Sequence, residues 1–213
     1  MARTAPLRPY ETTWEAWLLG GGAAAQFADP ALPLQVEIGC GDDDFLYESA
    51  RAHPEFNWLG IEYSRKRVRR TIRRIERYLG PGADPMPNLR MIWRPAADLV
   101  GPFLTPGRVQ AFHIYFPDPW PKAHHARFRL MTPEFVTSLR EALADGGTLD
   151  FATDSDDYIV ETDEVVGEVG GLVRVPDARP GPGGVAGDRP TVFEERWRAM
   201  GRTIHFHRYR KEA

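Results

Sequence analysis

The chain has 213 residues, of which 42% are hydrophobic and 27% charged, and its formal net charge is −3. This length and composition predict one ordinary domain with a substantial core. The chain has no apolar run long enough for a membrane span, no secretion-signal pattern, and a single cysteine, Cys40, which excludes an intrachain disulfide and a cysteine-cluster zinc site. We therefore expect a cytoplasmic protein without a membrane segment.

Hydrophobic periodicity and turn residues predict strands that alternate with helices. A short helix at 11–19 and a glycine hinge at 20–22 precede a strand at 34–38, a helix at 45–52, a strand at 56–61 and an arginine-rich helix between 63 and 80. Then come strands at 89–93 and 109–116, a helix at 133–144 with Thr132 as its N-cap, a strand at 148–153 and a helix at 156–168. A short strand at 172–175, a mobile loop at 176–190, a helix at 191–200 and a strand at 203–209 complete the chain.

This alternation predicts an α/β fold, a mostly parallel sheet with helices on both faces, in which ligands bind beyond the carboxyl ends of the strands. We expect an N-terminal extension at 1–33 and a single domain at 34–213.

The arginine-rich helix is the strongest charge feature of the sequence. Between Tyr63 and Gly80 there are eight basic residues and one acid, which gives this stretch +7 and leaves −10 on the rest of the chain. Its apolar residues form one helical stripe, made of Val68, Ile72, Ile75 and Leu79. The helix is either a solvated surface or a surface that faces a polyanion, because clustered guanidinium groups attract phosphates.

The loop after the first long strand has features of a nucleotide-binding turn. Gly39 and Gly41 flank Cys40, and Glu62 ends the next strand 21 residues beyond Gly41, a spacing at which an acid commonly binds ribose hydroxyls. Together these features favour an adenosine-containing cofactor over a purely structural turn. The acids at 42–44 would repel a pyrophosphate, so a cofactor with a cationic centre and no phosphate fits better.

The segment 116–122, Phe-Pro-Asp-Pro-Trp-Pro-Lys, is the most informative part of the sequence. Its prolines exclude continued strand pairing and hold the carboxylate of Asp118 at low entropic cost. Trp120 either stacks on a base or fills the core, and Lys122 suits a phosphate or a carbonyl. A purely structural turn would not need these three side chains together.

Five motifs in this order resemble the bacterial tRNA (guanine-N7)-methyltransferase family, from about Leu34 to the C-terminus. They are Val36-Glu37-Ile38-Gly39-Cys40-Gly41, Gly60-Ile61-Glu62, Phe116-Pro117-Asp118-Pro119-Trp120-Pro121-Lys122, Ala152-Thr153-Asp154 and Thr191-Val192-Phe193-Glu194. The resemblance implies a Rossmann-like S-adenosylmethionine-dependent methyltransferase fold, S-adenosyl-L-methionine as the methyl donor and a guanine in the tRNA variable loop as the acceptor.

The resemblance also implies roles for individual residues. Asp118 would be the catalytic acid, and the cofactor would be bound by Glu37, Gly39, Gly41, Glu62, Ala96 and Asp118. The substrate would be bound by Lys122, Asp154, Thr191, Val192, Phe193 and Glu194. RNA contacts would come from His124, Arg127 and Arg129, joined on the basic helix by Arg69 and Arg73. Guanine N7 has a free lone pair, so its methylation needs alignment rather than a general base, and we expect no metal.

Three departures from the family pattern keep other functions open. Asp43 stands where the family has a third glycine, Pro95-Ala96 replaces an acid followed by alanine, and the basic run after Lys122 is thinned to two arginines and two histidines. The alternatives are a divergent methyltransferase that acts on another RNA or a small molecule, and a non-catalytic RNA-binding protein on this scaffold.

Overall fold

Strands and helices alternate along most of the chain. The computed structural model describes residues 10–12, 26–41, 44–98, 100, 104, 106–176, 178 and 191–213. Within these residues the strands are β1 (Glu11–Thr12), β2 (Leu34–Ile38), β3 (Asn57–Glu62), β4 (Leu89–Trp93), β5 (Val109–Tyr115), β6 (Leu143–Thr153), β7 (Leu172–Val175) and β8 (His205–Lys211). The helices are α1 (Phe45–Ala52), α2 (Arg65–Leu79), α3 (Pro133–Ala142), α4 (Asp156–Val169) and α5 (Val192–Ala199), with short 3-10 helices at Ala96–Asp98 and Ala123–Phe128.

The strands form one sheet in the order β1-β4-β3-β2-β5-β6-β8-β7. Neighbouring strands from β1 to β6 run parallel, whereas β8 is antiparallel to both β6 and β7. The chain moves outward from β2 through β3 to β4 and then crosses back to add β5 on the other side of β2. The order of the strands therefore reverses between β2 and β5, and ligands bind at such a point beyond the carboxyl ends of the strands.

Each face of the sheet buries its own pair of helices, because successive side chains of a strand point to opposite faces. Trp58 of β3 packs in one cluster with α1 and α2, and Ile61 of the same strand packs in the other cluster with α3 and α4. The predicted apolar stripe of α2 is confirmed, since Val68, Ile72 and Ile75 are fully buried. The predicted α/β sheet with helices on both faces is confirmed as well.

Capping residues explain where several helices begin and end. The hydroxyl of Thr132 accepts a hydrogen bond from the backbone N–H of Phe135 at 3.3 Å, and Pro133 is the first residue of α3, as predicted. Gly80 and Gly170 follow α2 and α4 with φ angles of 86° and 68°. A positive φ at these two positions favours glycine and stops the helices.

The start of the chain differs from its prediction. Glu11–Thr12 form a strand rather than the start of a helix, and Glu11 lies opposite Met91 in a parallel pair. The backbone N–H of Met91 donates to the carbonyl of Tyr10 at 2.9 Å, and Tyr10 is buried. This pairing uses the open edge of β4, which is distant in sequence, so local periodicity gave a wrong prediction at residues 11 and 12. Residues 13–19 and the predicted glycine hinge at 20–22 lie outside the described residues.

The strand β6 begins at Leu143 instead of Thr148. Gly146 and Gly147 do not separate it from α3, because they lie inside the strand where its register against β5 shifts. Gly146 has a φ of 73°, and a Cβ on Gly147 would lie 2.8 Å from the carbonyl oxygen of Ala144, so glycine is required at both positions.

The other predicted elements are found within two residues of their predicted bounds. Apart from residues 176 and 178, the predicted mobile loop at 176–190 lies outside the described residues. The division into an extension at 1–33 and a domain at 34–213 stays a prediction, although residues 11–12 already contribute an edge strand to the sheet. None of the helices in the described part of the chain is long and apolar enough to cross a membrane.

Candidate active site

A cleft of about 290 Å³ opens at the carboxyl ends of β2 and β5, where the strand order reverses. It is lined by Glu37, Gly39, Gly41, Arg67, Tyr115, Phe116, Pro117, Asp118, Pro119, Asp154, Phe193, Trp197 and Arg202. Six of the predicted site residues therefore come together in one place: Glu37, Gly39, Gly41, Asp118, Asp154 and Phe193.

The loop after β2 is held by hydrogen bonds of its own backbone. Gly39 and Gly41 have φ angles of 78° and 47°, a region that favours glycine. The N–H of Gly39 donates to the carbonyl of Ile61 at 2.8 Å, and the carbonyl of Gly41 accepts from the hydroxyl of Thr71 at 2.6 Å. A Cβ on Gly39 would meet nothing within 4 Å, so a ligand can approach this backbone closely.

Glu62, the last residue of β3, holds this loop in place through its side chain. Its buried carboxylate accepts hydrogen bonds from the backbone N–H of Gly41 at 3.1 Å and of Ser64 at 2.7 Å. The carboxylate thus fixes the glycine turn to the end of β3, and a direct contact with a cofactor ribose stays a prediction. Ala96 lies in the 3-10 helix after β4, packs in the core cluster that also holds residues of α3 and α4, and is not among the residues that line the cleft.

The loop after β5 presents Asp118 to the cleft. Phe116 and Trp120 have φ angles of 51° and 44°, a conformation that costs a residue with a side chain about 1–3 kcal/mol and is concentrated at functional sites. The N–H of Phe116 donates to the carbonyl of Ala152 at 2.8 Å, which ties the loop to β6. Asp118 is exposed, and none of the described residues makes a hydrogen bond to its carboxylate.

Asp154, directly after β6, lines the cleft together with Arg202. The guanidinium of Arg202 pairs with the carboxylate of Asp154 and lies over the ring of Trp197 at 4.4 Å. The side chain of Asp154 is 12% exposed and that of Arg202 is 49% exposed, so this ion pair faces the cleft mainly through the arginine.

The segment 191–194 contains the start of α5 and contributes Phe193 to the same cleft. The hydroxyl of Thr191 accepts from the backbone N–H of Glu194 at 3.0 Å as the N-cap, and the carboxylate of Glu194 pairs with Arg198 at 2.8 Å. Both Thr191 and Glu194 are buried and serve the helix itself. Val192 is the first residue of α5, whereas Phe193 reaches the cleft, where its ring centroid lies 6.3 Å from that of Phe116.

A network of buried polar side chains contacts Tyr115, one of the residues that line the cleft. Arg208 of β8 donates two hydrogen bonds to Asp150 of β6, at 2.5 and 2.6 Å. Nδ1 of His113 lies 3.5 Å from the Asp150 carboxylate and 3.1 Å from the hydroxyl of Tyr115, which lines the cleft. Burial raises the pKa of Tyr115 well above its ordinary value of 10, so the phenol stays neutral at physiological pH.

The predicted RNA contacts divide into exposed and buried residues. Lys122, His124 and Arg127 are exposed on or next to the 3-10 helix that follows the Asp118 loop. Arg129 is buried, and its guanidinium donates to the carbonyl of Pro119 at 2.8 Å and pairs with Glu161. Arg129 therefore holds the Asp118 loop in place from the protein interior and is not exposed for an RNA contact. On α2, Arg73 is exposed and Arg69 is half-buried.

Sequence reasoning missed four residues that line the cleft, namely Arg67, Tyr115, Trp197 and Arg202. Arg67 was singled out only as part of the arginine-rich helix, and no local signal placed Arg67 in the cleft or Arg202 next to Asp154. Within the described ranges, no group of three or more His, Cys, Asp or Glu side chains is arranged to hold a metal ion.

Comparison with known proteins identifies relatives of this chain. A family model described as a putative methyltransferase matches residues 31–207. A tRNA (guanine-N(7)-)-methyltransferase of Geobacter metallireducens is 36% identical over 192 residues, which cover 89% of this chain and 87% of that protein. Its counterpart in Alkalilimnicola ehrlichii is 33% identical, with coverages of 96% and 86%.

Solved structures support the fold. An aminoglycoside resistance methyltransferase has a TM-score of 0.56 at 18% identity, covering 84% of this chain and 87% of that chain. A 16S rRNA (adenine(1408)-N(1))-methyltransferase from Catenulisporales acidiphilia has a TM-score of 0.56 at 17% identity, with coverages of 93% and 91%. The predicted Rossmann-like methyltransferase fold is confirmed. By its sequence similarity over most of its length, the chain belongs to the bacterial tRNA (guanine-N7)-methyltransferase family.

Proposed function

We propose that this protein transfers a methyl group from S-adenosyl-L-methionine to N7 of a guanine in the variable loop of tRNA, in the cytoplasm. The proposal depends on one observation: residues expected to bind the cofactor and residues expected to bind the acceptor line the same cleft. The cofactor side contributes Glu37, Gly39 and Gly41, the acceptor side contributes Asp154 and Phe193, and Asp118 is expected both to contact the cofactor and to act in the reaction. The family to which the chain belongs supports the same reaction.

The cofactor side of the cleft fits S-adenosylmethionine, which when bound supplies a methyl group on a positively charged sulfonium. The open space at Gly39 lets a ligand lie against the backbone. The carboxylates of Glu37 and Asp118 line the same cleft and favour a cationic ligand. We propose that Glu37 and the glycine loop hold the cofactor, and that Glu62 keeps this loop in shape through its two backbone hydrogen bonds.

The acceptor side of the cleft suits a flat purine. Phe116 and Phe193 offer two aromatic rings, and Asp118 lies exposed next to them. Methylation at N7 makes the purine cationic, so the carboxylate of Asp118 stabilises the charge that develops as the bond to N7 forms. Asp154 would accept hydrogen bonds from the guanine N1–H and amino groups once its pairing with Arg202 is exchanged for the base.

The reaction can be tested by incubating the protein with unmodified tRNA and S-adenosylmethionine that carries a labelled methyl group. We expect label in tRNA and, after digestion to nucleosides, N7-methylguanosine. Label in another nucleoside would point to a changed acceptor, and the absence of label together with tRNA binding would point to a non-catalytic scaffold.

The exposed face of α2 is expected to bind the phosphate backbone of tRNA. Lys66, Arg70, Arg73 and Arg77 are exposed and lie opposite the buried stripe of the helix. Changing Lys66, Arg73 and Arg77 together to Glu should weaken tRNA binding more than about 10-fold at moderate salt, because contacts with phosphates are lost. Each lost contact should also reduce the steepness of log K against log salt by about 0.7–0.9. Binding isotherms at several salt concentrations measure both quantities.

The affinity for S-adenosylmethionine should stay unchanged in this variant, since the substituted side chains do not line the cleft. Arg108→Glu is a control for charge reversal at an exposed arginine, because Arg108 is exposed at the amino end of β5 and lies outside both α2 and the cleft. An unchanged tRNA affinity in the α2 variant would show that this face of the helix is only solvated.

A further inference from the structure

An exposed aromatic cluster lies immediately beside the cleft. Its members, Trp120, His125 and Phe128, form what we call the aromatic platform. The ring centroid of Trp120 lies 5.4 Å from that of Phe128 and 5.7 Å from that of His125. Trp120 is 36% exposed and Phe128 is 52% exposed, although both are large apolar side chains that the core could have buried.

The platform is held rigidly and next to the reaction centre. Asp118 and Pro119 line the cleft, and Trp120 follows them directly, in a left-handed backbone conformation with φ at 44°. Below the platform, Arg129 donates to the carbonyl of Pro119 and lies over the ring of Tyr158 at 4.9 Å. The strained turn is therefore braced from the core side while the Trp120 ring stays exposed.

Positive charge surrounds the platform. The guanidinium of Arg127 lies 4.9 Å over the ring of Phe128, and Lys122 is exposed at the start of the same 3-10 helix. Aromatic rings combined with nearby cations are the usual means of binding unpaired nucleotides, since the rings stack on bases and the cations meet phosphates. An apolar protein partner would gain nothing from the cations at this rim, so the charge favours a nucleic acid.

We propose that the aromatic platform stacks on the unpaired base that neighbours the target guanine when the guanine is drawn into the cleft. This inference rests on the proposed function. To enter the cleft, the target base leaves its stack, at a cost of a few kcal/mol, and its neighbour loses a stacking partner. The platform, which begins two residues after Asp118, replaces that partner and so offsets part of the cost of extrusion.

The test compares equilibrium binding of unmodified tRNA to the wild type and to Trp120→Ala, Phe128→Ala and Trp120→Phe. We expect Trp120→Ala to weaken binding about 5- to 150-fold, because stacking contributes ~1–3 kcal/mol per base and a tenfold change corresponds to ~1.4 kcal/mol. Phe128→Ala should weaken binding in the same sense, and Trp120→Phe should retain most of the affinity. The slope of log K against log salt should not change in these variants, because stacking releases no counterions.

Val173→Ala is the control for removal of an exposed apolar side chain. Val173 is 48% exposed on β7, the edge strand at the other end of the sheet from β4, and lies outside both α2 and the cleft, so its loss should leave tRNA affinity unchanged. The affinity for S-adenosylmethionine, measured on each variant, reports whether the cleft is intact.

Two results would overturn the inference. The first is wild-type tRNA affinity in both Trp120→Ala and Phe128→Ala. The second is a loss in Trp120→Ala that comes with a lower salt slope, which would indicate a lost phosphate contact instead of lost stacking. Nucleoside analysis on the same proteins keeps the two proposals apart. N7-methylguanosine whose formation does not depend on Trp120 would refute only the platform. Trp120-dependent binding without that nucleoside would refute the proposed function and leave only the stacking of the platform on an unpaired base.

Discussion

Asp118→Ala is expected to lower kcat for methyl transfer about 100- to 1,000-fold, the loss typical of removing one group that stabilises charge in a transition state. Asp118 is exposed in the cleft, and no described residue uses its carboxylate as a structural partner. The free energy of unfolding should therefore change little. Single-turnover transfer of labelled methyl to tRNA measures the effect on chemistry, and urea denaturation measures stability.

Two further variants define what Asp118 contributes. Asp118→Asn keeps the shape and a hydrogen-bond acceptor while it removes the charge, so a loss as large as that of Asp118→Ala would assign the effect to charge. Glu168→Ala removes an exposed carboxylate near the end of α4, away from the cleft, and should leave kcat unchanged. Wild-type kcat in Asp118→Ala would refute its role in the reaction.

Arg208→Met is expected to lower the free energy of unfolding by about 3–5 kcal/mol, the usual cost of leaving a buried charge without its partner. Asp150 is 1% exposed and receives two hydrogen bonds from Arg208, which lies directly opposite it in the antiparallel pair of β6 and β8. Without Arg208 the Asp150 carboxylate stays buried among the side chains of the sheet, beside His113. Urea denaturation at neutral pH measures the change.

The double variant Asp150→Leu/Arg208→Met is the matched control. Replacing both partners of a buried ion pair with apolar residues is often close to neutral, so the double variant should be more stable than Arg208→Met alone. If the free energy of unfolding of Arg208→Met lies within about 1 kcal/mol of the wild-type value, Asp150 is hydrogen-bonded by water or by another donor after the arginine is lost.

The two errors in the predicted fold have the same origin. The helix expected from Glu11 onward is replaced, at residues 11 and 12, by a strand on the edge of β4, and β6 starts five residues early because Gly146 and Gly147 fit into a shift of register against β5. Both outcomes depend on which strand lies alongside, which is a non-local property. Elements with strong internal periodicity or capping residues, such as α2 and α3, were found close to their predicted positions.

The C-terminal basic residues illustrate how the fold reassigns charge. In sequence they form a loose cationic group, but Arg208 is buried against Asp150, Arg202 pairs with Asp154 in the cleft, and His205 lies 2.7 Å from Asp156. The antiparallel pairing of β8 with β6 places Arg208 beside Asp150 of β6 and His205 beside Asp156 of α4, and it brings Arg202, just before β8, next to Asp154, just after β6. These three side chains therefore meet acids, whereas Lys66, Arg73 and Arg77 of α2 are exposed.

The sequence by itself determined the fold class, the glycine turn after β2, the Asp118 loop and the basic face of α2. Each of these depends on local chemistry: the periodicity of apolar residues, the φ freedom of glycine, the rigidity of proline and the clustering of arginine. Only the tertiary structure decided that Glu62 locks the glycine turn, that Arg202 occupies the carboxylate of Asp154, and that Arg129 supports the loop while Trp120 and Phe128 stay exposed. These assignments join residues that are 10 to 48 positions apart, so they depend on how the sheet brings the carboxyl ends of its strands together.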